Sequence, residues 1–229
     1  MPIAAMKNAA LGTTLAANLR RDVTQAAFMR AALLDDRESA MSITSLLGDT
    51  YPETKGFLAS YQSAATPEAR RFAAAYLSLK FPGLRPYVTA GVGRTTEVNE
   101  IDSYRDNYWC AEPPTSMTGA GEEENKPKAA PIAPPEFLKP SQALALRQAA
   151  ALQALGTAPD YLCRIAIEWA EKNPTDARAP EALHLSVRST RYGCTDKETG
   201  RWSKAAYDLL HRRYPNSTWA RNTKYWFKG

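Results

Sequence analysis

The stretch Tyr207-Asp-Leu-Leu-His-Arg-Arg-Tyr-Pro-Asn-Ser-Thr-Trp219 predicts the end of one helix, a sharp break and the start of a second helix. A proline ring disfavours the α conformation at the residue before it, so the first helix is expected to stop at Tyr214. Asn216 or Ser217 can then cap the next helix through its side-chain oxygen. The stretch therefore predicts a pair of consecutive α-helices joined by a short turn.

Apolar residues around this break repeat with the period of a helix. In the first helix they fall at i, i+3, i+4, i+7 and i+8, which places them on one face, whereas Asp208 and Arg212 lie off that face. The second helix is expected to carry a similar face as far as Phe227. The residues assigned to the two faces are Trp202, Ala205, Ala206, Leu209 and Leu210, followed by Trp219, Ala220, Thr223, Trp226 and Phe227.

Breaks of the same kind recur upstream, at Tyr51-Pro52, Phe81-Pro82 and Asn173-Pro174. Pro174 and Pro215 lie 41 residues apart, which suits the period of a helical repeat. The preceding break is much farther away, so the array is expected to be irregular.

The C-terminal stretch resembles the tetratricopeptide-type repeats of bacterial envelope proteins, in particular the TolA-binding, cell-division-coordinating family. The resemblance is carried by Tyr214-Pro-Asn-Ser217 and Asn222-Thr-Lys-Tyr-Trp226. The glycine and leucine usual after the tryptophan are absent, because Phe227-Lys-Gly229 stands there. The resemblance implies a helical-repeat fold and a binding role, and it implies no active site.

Composition divides the chain into four regions. Residues 1–82 predict N-terminal helices, and residues 83–110 predict an aromatic loop insertion. Residues 111–140 are rich in proline and glutamate and predict a flexible, disordered linker, because such a segment buries too little apolar surface to offset its ordering entropy. Residues 141–229 predict a C-terminal helical-repeat region. The expected fold class is all-α, an irregular tetratricopeptide-like helical array whose two helical regions either pack as one domain or stand apart.

The charge of the chain is uneven. Of 229 residues, 44% are apolar and 23% charged, as in ordinary soluble proteins, and no apolar run is long enough for a membrane span. From His184 onwards, ten Lys and Arg stand against three Asp and Glu. With the interleaved aromatics, this excess indicates an anionic partner surface, single-stranded nucleic acid, or simply a solvated face over a repeat core. The candidate partner-binding cations are Arg188, Arg191, Arg201, Arg212, Arg221 and Lys224.

No catalytic or metal-binding pattern stands out. His184 and His211 lie on separate predicted helices, and a metal site at either one would need at least a third ligand nearby, which the sequence does not indicate. Asp102, Arg105 and Asp106 form a polar cluster whose expected role is to anchor a loop rather than to line a pocket. We therefore expect a non-enzymatic protein with no catalytic residue, no metal and no cofactor.

The three cysteines bear on the compartment. Cys163 falls near the apolar face of a predicted helix and is expected to be a buried free thiol. Cys110 and Cys194 occupy loop-like positions away from metal-ligand spacing, which suggests a possible disulfide. Such a bond persists in an oxidising compartment such as the periplasm. Three unpaired thiols in a reducing cytoplasm are the alternative.

These patterns favour a non-enzymatic protein–protein interaction module or scaffold in the periplasm or cell envelope of a bacterium. Helical arrays expose extended surfaces that suit peptides and other proteins. The alternatives are an accessory helical domain of a cell-wall enzyme or complex, and an anionic-polymer or nucleic-acid-binding protein that uses the basic C-terminal half. Nucleic acid is not the expected partner, and the identity of a protein partner cannot be read from the residues.

Overall fold

The computed structural model describes residues 1–88, 94, 96–102, 107–110 and 136–228, and all regular structure in these ranges is helical. The predicted all-α class is confirmed for this part of the chain. The predicted linker lies outside the described residues up to position 135, and Glu136–Ser141 form a 3₁₀ turn that leads into the next α-helix. The α-helices are α1 Ile3–Leu11, α2 Ala17–Leu33, α3 Arg37–Thr50, α4 Lys55–Ser63, α5 Pro67–Lys80, α6 Gln142–Gln153, α7 Ala158–Lys172, α8 Ala179–Ser189, α9 Thr199–Arg213 and α10 Thr218–Asn222.

Local signals start several of these helices. The Asp36 side chain accepts a hydrogen bond from Ser39 N and caps α3. Thr66 accepts one from Ala69 N, with Pro67 in the first position of α5. Ser217 accepts one from Ala220 N at the start of α10. Each cap satisfies a backbone N–H that lacks a partner within its helix.

Three helix boundaries differ from what the local sequence predicts. The alanine-rich stretch from Met1 to Asn18 predicts one helix, but the structure has a break between α1 and α2. Gly48 predicts a helix end, but α3 continues past it; a Cβ at this position would meet Lys55 Cγ at 3.1 Å, so the glycine permits close packing. Gly193 also predicts a helix end, but α8 ends earlier, at Ser189.

The last helix also differs from its prediction. It was expected to reach Phe227, but α10 ends at Asn222 and residues 223–228 continue without helical structure. We call these six residues the C-terminal tail. Thr223 Oγ1 donates back to Trp219 O, and the next backbone groups bond to side chains outside α10. Competing partners of this kind remove the advantage of continuing the helix.

The helices pack into one body across the described residues. The first three pack on one another, α4 pairs with α5, and α7, α8 and α9 pack mutually, with α10 against α8 and α9. The helix α5 contacts α2 on one side and α7 and α8 on the other. The N-terminal helices therefore pack on the C-terminal set and do not stand apart.

The junction between the two sets consists of contacts between α5 and the pair α7 and α8. The rings of Phe72 and Trp169 stack with centroids 4.5 Å apart and planes 6° from parallel. Lys80 Nζ lies 2.7 Å from Glu181 Oε1, and the Tyr76 hydroxyl donates to the other oxygen of the same carboxylate. Phe72 is almost fully buried, so the junction belongs to the core.

The end of the predicted aromatic loop insertion strengthens this junction. Tyr108 and Trp109 are both buried. Tyr108 N donates to Pro82 O after α5, and Trp109 O accepts from Ala158 N at the start of α7. The segment 107–110 thus joins the end of α5 to the beginning of α7 through its backbone.

A polar network supports the same loop. Asp102 N donates to Asn107 Oδ1, and Asn107 Nδ2 donates back to Asp102 O, with both residues buried. The Arg94 guanidinium donates to Glu100 O. Of the predicted polar cluster, Asp102 is in this network, while Arg105 and Asp106 lie outside the described residues.

The helix α6 is the most exposed of the longer helices. Its only buried residue is Leu152, whereas Leu146 is 62% exposed. Gln148 Oε1 accepts a hydrogen bond from Ile3 N, which connects α6 to the start of α1. No helix within the described ranges is long and apolar enough to cross a membrane.

Candidate binding surface

Four of the six predicted partner-binding cations lie around the C-terminal tail. Arg191 Nη2 donates to Tyr225 O at 2.7 Å, and Lys224 belongs to the tail itself. Arg188 lies near His184, whose ring is 2.7 Å from Thr223 Oγ1. Arg201 follows Gly200, where the tail comes close to α9. We call this surface, formed by the tail and the neighbouring side chains of α8, the turn after α8, and α9, the tail face.

The other two predicted cations have different surroundings. Arg212 lies in the last turn of α9, about 16 Å along the helix from Arg201 at 1.5 Å per residue. Arg221 donates to Asn216 O and to Thr218 Oγ1, so its guanidinium caps its own turn. The structure thus divides the six predicted cations into a cluster of four around the tail and two that lie elsewhere.

Side chains that the sequence did not single out hold the tail. Phe227 N donates to Ser203 Oγ at 2.9 Å, and Ser203 is fully buried. The Trp226 ring lies 5.0 Å from the ring of Tyr207. The amino groups of Lys204 and Lys228 lie 5.5 and 5.6 Å from the Trp226 centroid, within the range of cation–π attraction.

The tail face carries a strong excess of positive charge. Its cations are opposed by Glu198, which pairs with Arg201 at 2.7 Å, and by Asp208, which pairs with Lys204 at 2.5 Å. Burial and the neighbouring Arg188 lower the pKa of His184, so this imidazole is neutral at neutral pH and adds no charge. The cations of the tail face are Arg188, Arg191, Arg201, Lys204, Lys224 and Lys228.

Aromatic side chains are exposed beside these cations. Tyr225 is 67% and Tyr192 46% exposed, and the Arg188 guanidinium lies 5.8 Å from the Tyr192 centroid. The Arg201 guanidinium lies 4.7 Å from the Trp202 ring. Exposed rings and cations together make a surface that can take both apolar and anionic groups.

The two cysteines singled out in the sequence are bonded to each other. Cys110 and Cys194 have Cα atoms 5.2 Å apart, within the limit of about 7 Å for a disulfide. The bond connects the segment after Trp109 to the turn before α9. Cys163 is free and fully buried, and burial raises the pKa of its thiol to about 12, so it is unreactive at neutral pH.

A buried carboxyl group lies near this disulfide. Asp160, in the first turn of α7, is only 7% exposed, and its Oδ1 has no hydrogen-bond partner among the described residues. Burial raises the pKa of Asp160 to about 6, the Asp196 carboxyl group adds to this increase, and the hydroxyl of Thr199 opposes it. This carboxyl group makes stability depend on pH, because its ionised form is desolvated and faces another acid.

A groove between α5 and α7 is a further concave feature. Phe72 and Trp169 line it together with charged groups at its edges. No histidine, cysteine or serine lines this groove, so it offers no imidazole, thiol or hydroxyl group. The remaining lining residues are Glu68, Arg71, Ile165, Glu168, Lys172 and Asn173.

The histidines form no metal site with their neighbours. His184 contacts Thr223 and Trp219, and His211 Nδ1 contacts Tyr207 O. Within the described part of the chain, no three His, Cys, Asp or Glu side chains gather closely enough to hold a metal ion.

No family model, curated protein or solved structure matches this chain. The chemistry and geometry of its own residues are therefore what any functional proposal rests on.

Proposed function

We propose that this protein is a non-enzymatic protein–protein interaction module of a bacterial cell envelope, and that the tail face binds an acidic partner. The observation that carries the proposal is the cluster of six cations and two exposed tyrosine rings on α8, the turn after it, α9 and the tail. Complementary charge steers association and selects partners, while aromatic residues supply contact area.

Helix packing supports the tetratricopeptide-like part of the proposal. The helix α7 packs on α8 and α9, and α8 packs on α9 and α10. Stacked helical hairpins have this pattern, in which each helix touches the next one and the one after it. The packed helices of such an array hold their side chains in place before a partner binds, which lowers the entropy cost of binding.

The disulfide supports the envelope location. Cys110 and Cys194 are 84 residues apart in the sequence, and a closed loop of that size is stabilised by about 4–5 kcal/mol in the chain-entropy model. Such bonds are rare in the reducing cytoplasm, whereas they persist in the periplasm.

Alkylation followed by mass spectrometry measures the thiols directly. Without reduction, denatured protein should take up one label, on Cys163, and after reduction it should take up three. Under native conditions even Cys163 should react slowly, because the thiol is fully buried. Three labels on unreduced protein would contradict the disulfide and place the protein in the cytoplasm.

A charge-reversal experiment tests the binding surface. Chemical cross-linking in cells, followed by purification, should recover a defined partner, and the pair Arg188→Glu and Arg201→Glu should weaken its binding by about tenfold or more. Arg37→Glu, on the exposed start of α3, is the matched control and should leave binding unchanged. Equal binding by all the variants would contradict the proposed surface.

Binding of an anionic polymer is the second candidate, and the exposed rings of Tyr192 and Tyr225 beside the cations favour it. Nucleic-acid bases stack on such rings, and phosphates release counterions when they bind Lys and Arg. A titration against single-stranded DNA and against purified peptidoglycan distinguishes the candidates. Strong, steeply salt-dependent DNA binding without a protein partner would replace the first proposal with this one.

A further inference from the structure

The C-terminal tail lies in a groove formed by α8, the turn after it and α9. We propose that this groove is a recognition site for an extended acidic peptide with a central aromatic residue, and that the tail is an internal ligand which this peptide displaces. The inference rests on the proposed binding function and adds the chemistry of the partner segment and its mode of binding. Four features of the described residues support it: backbone contacts, a ring site, a charge mismatch and a close approach.

The groove contacts the tail through its backbone. Arg191 donates to Tyr225 O at 2.7 Å, and Ser203 Oγ accepts from Phe227 N at 2.9 Å. Neither contact depends on the side chain of the tail residue. Another extended segment can therefore make the same two hydrogen bonds, as in other modes of peptide recognition that use main-chain bonds for affinity.

Between these two contacts the groove accommodates one aromatic ring. Trp226 is half-buried against Tyr207, with the Lys204 amino group 5.5 Å from its ring. By contrast, the adjacent Tyr225 is 67% exposed. The groove therefore covers the ring of the central residue and leaves the neighbouring ring in solvent. A partner peptide should place an aromatic side chain at the position of Trp226.

The charge of the tail does not suit the face on which it lies. The tail brings Lys224 and Lys228 to a surface that already carries Arg188, Arg191, Arg201 and Lys204. Arg201 and Lys204 are paired with carboxylates of α9 and of the residue before it, but Arg188 and Arg191 have no ion pair within the described residues. Like charges placed close together destabilise a contact, whereas opposite charges stabilise it. A peptide with carboxylates at the two lysine positions replaces repulsion with attraction, so it should bind better than the tail itself.

Gly200 permits the backbone of the tail to approach α9. A Cβ at this position would lie 3.1 Å from Lys228 O and 3.3 Å from its carbonyl carbon, which is closer than ordinary contact. Gly200→Ala should therefore shift the end of the tail away from the helix by a few tenths of an ångström. Gly56→Ala is the matched control, because a Cβ there meets no atom within 4 Å.

The test uses the full chain and two fluorescein-labelled synthetic peptides. One has the sequence Glu-Tyr-Trp-Phe-Glu, and the other keeps the tail sequence Lys-Tyr-Trp-Phe-Lys. Fluorescence anisotropy should show at least tenfold tighter binding of the acidic peptide, and the difference should shrink as salt is added. Equal affinities for the two peptides would overturn the proposal.

Displacement has its own readout in the backbone. When the acidic peptide is bound, hydrogen exchange at the Phe227 amide should accelerate, because this N–H loses its bond to Ser203 Oγ. Peptide binding without this change would mean that the peptide binds elsewhere, and the proposal would be wrong.

Variants of the tail change peptide affinity in opposite directions. Trp226→Ala removes the ring from the groove and should raise the affinity of the acidic peptide several-fold, whereas the pair Lys224→Glu and Lys228→Glu should lower it, because the tail then competes better. Tyr225→Ala removes an exposed ring and serves as the control. If a cross-linked partner binds all these variants equally well, the groove is not its binding site, and the proposed function stands without it. If no partner is recovered but the peptide still displaces the tail, the groove is a peptide site and the proposed function is wrong.

Discussion

Replacing Phe72 with alanine is expected to lower the free energy of unfolding by about 3–5 kcal/mol, the usual cost of truncating a large buried ring. Phe72 is 1% exposed and stacks on Trp169, so its loss leaves a cavity at the junction between the N-terminal and C-terminal helices. Urea denaturation followed by circular dichroism measures the change. Val88→Ala, at a side chain that is 40% exposed, is the control and should cost less than about 1 kcal/mol.

The partner ring allows a sharper test of the junction. If Phe72 and Trp169 stabilise each other by stacking, the double alanine variant should lose less than the sum of the two single variants. The coupling free energy should be about 0.5–1.5 kcal/mol, as measured for other aromatic pairs. Strict additivity would mean that the rings contribute burial alone and that the junction does not depend on their contact.

Replacing Asp160 with asparagine is expected to stabilise the protein at pH 7–8 by up to about 3 kcal/mol, since two pKa units correspond to about that free energy. The pKa of Asp160 is raised from 3.8 to about 6 in the folded state, so folding favours the protonated form. The stabilisation that this group contributes is therefore fully present below pH 4, and it is lost as the pH rises through 6. Asparagine keeps the shape of the protonated side chain and carries no charge to desolvate.

Denaturation curves collected from pH 4 to pH 8 measure this effect. The free energy of unfolding of the wild-type protein should fall between pH 4 and 6, and above pH 7 Asp160 should cause little further change. The Asp160→Asn variant should lack this fall. At pH 4 the two proteins should be nearly equally stable, which provides the control within the same series. A variant less stable than the wild type at pH 8 would show that the carboxylate is well solvated or compensated, contrary to its burial.

Short-range signals account for several helix ends. Thr66 before Pro67, and Ser217 after Pro215, are local signals for a helix start, and the structure shows both caps. Pro215 predicts the end of a helix at Tyr214, and Tyr214 is the C-cap residue of α9. These signals depend on backbone geometry and hydrogen bonds within a few residues, which do not change with the rest of the fold.

The candidate site depended on contacts between distant residues. Sequence reasoning found the positive charge and the two cysteines, but it extended the last helix to Phe227 and so missed the groove that holds the tail. The residues that hold the tail, Arg191 and Ser203, are distant from it in the sequence, and no local pattern indicates that a serine will accept the Phe227 amide.

Local sequence thus decided where α5 and α10 begin and where α9 ends, because caps and prolines act on the neighbouring backbone. Tertiary packing alone decided the stacking of Phe72 on Trp169, the proximity of Asp160 to Asp196 and the path of the C-terminal tail. Each of these contacts joins residues far apart in the chain, and its free energy comes from burial and desolvation, which arise only when the helices are assembled.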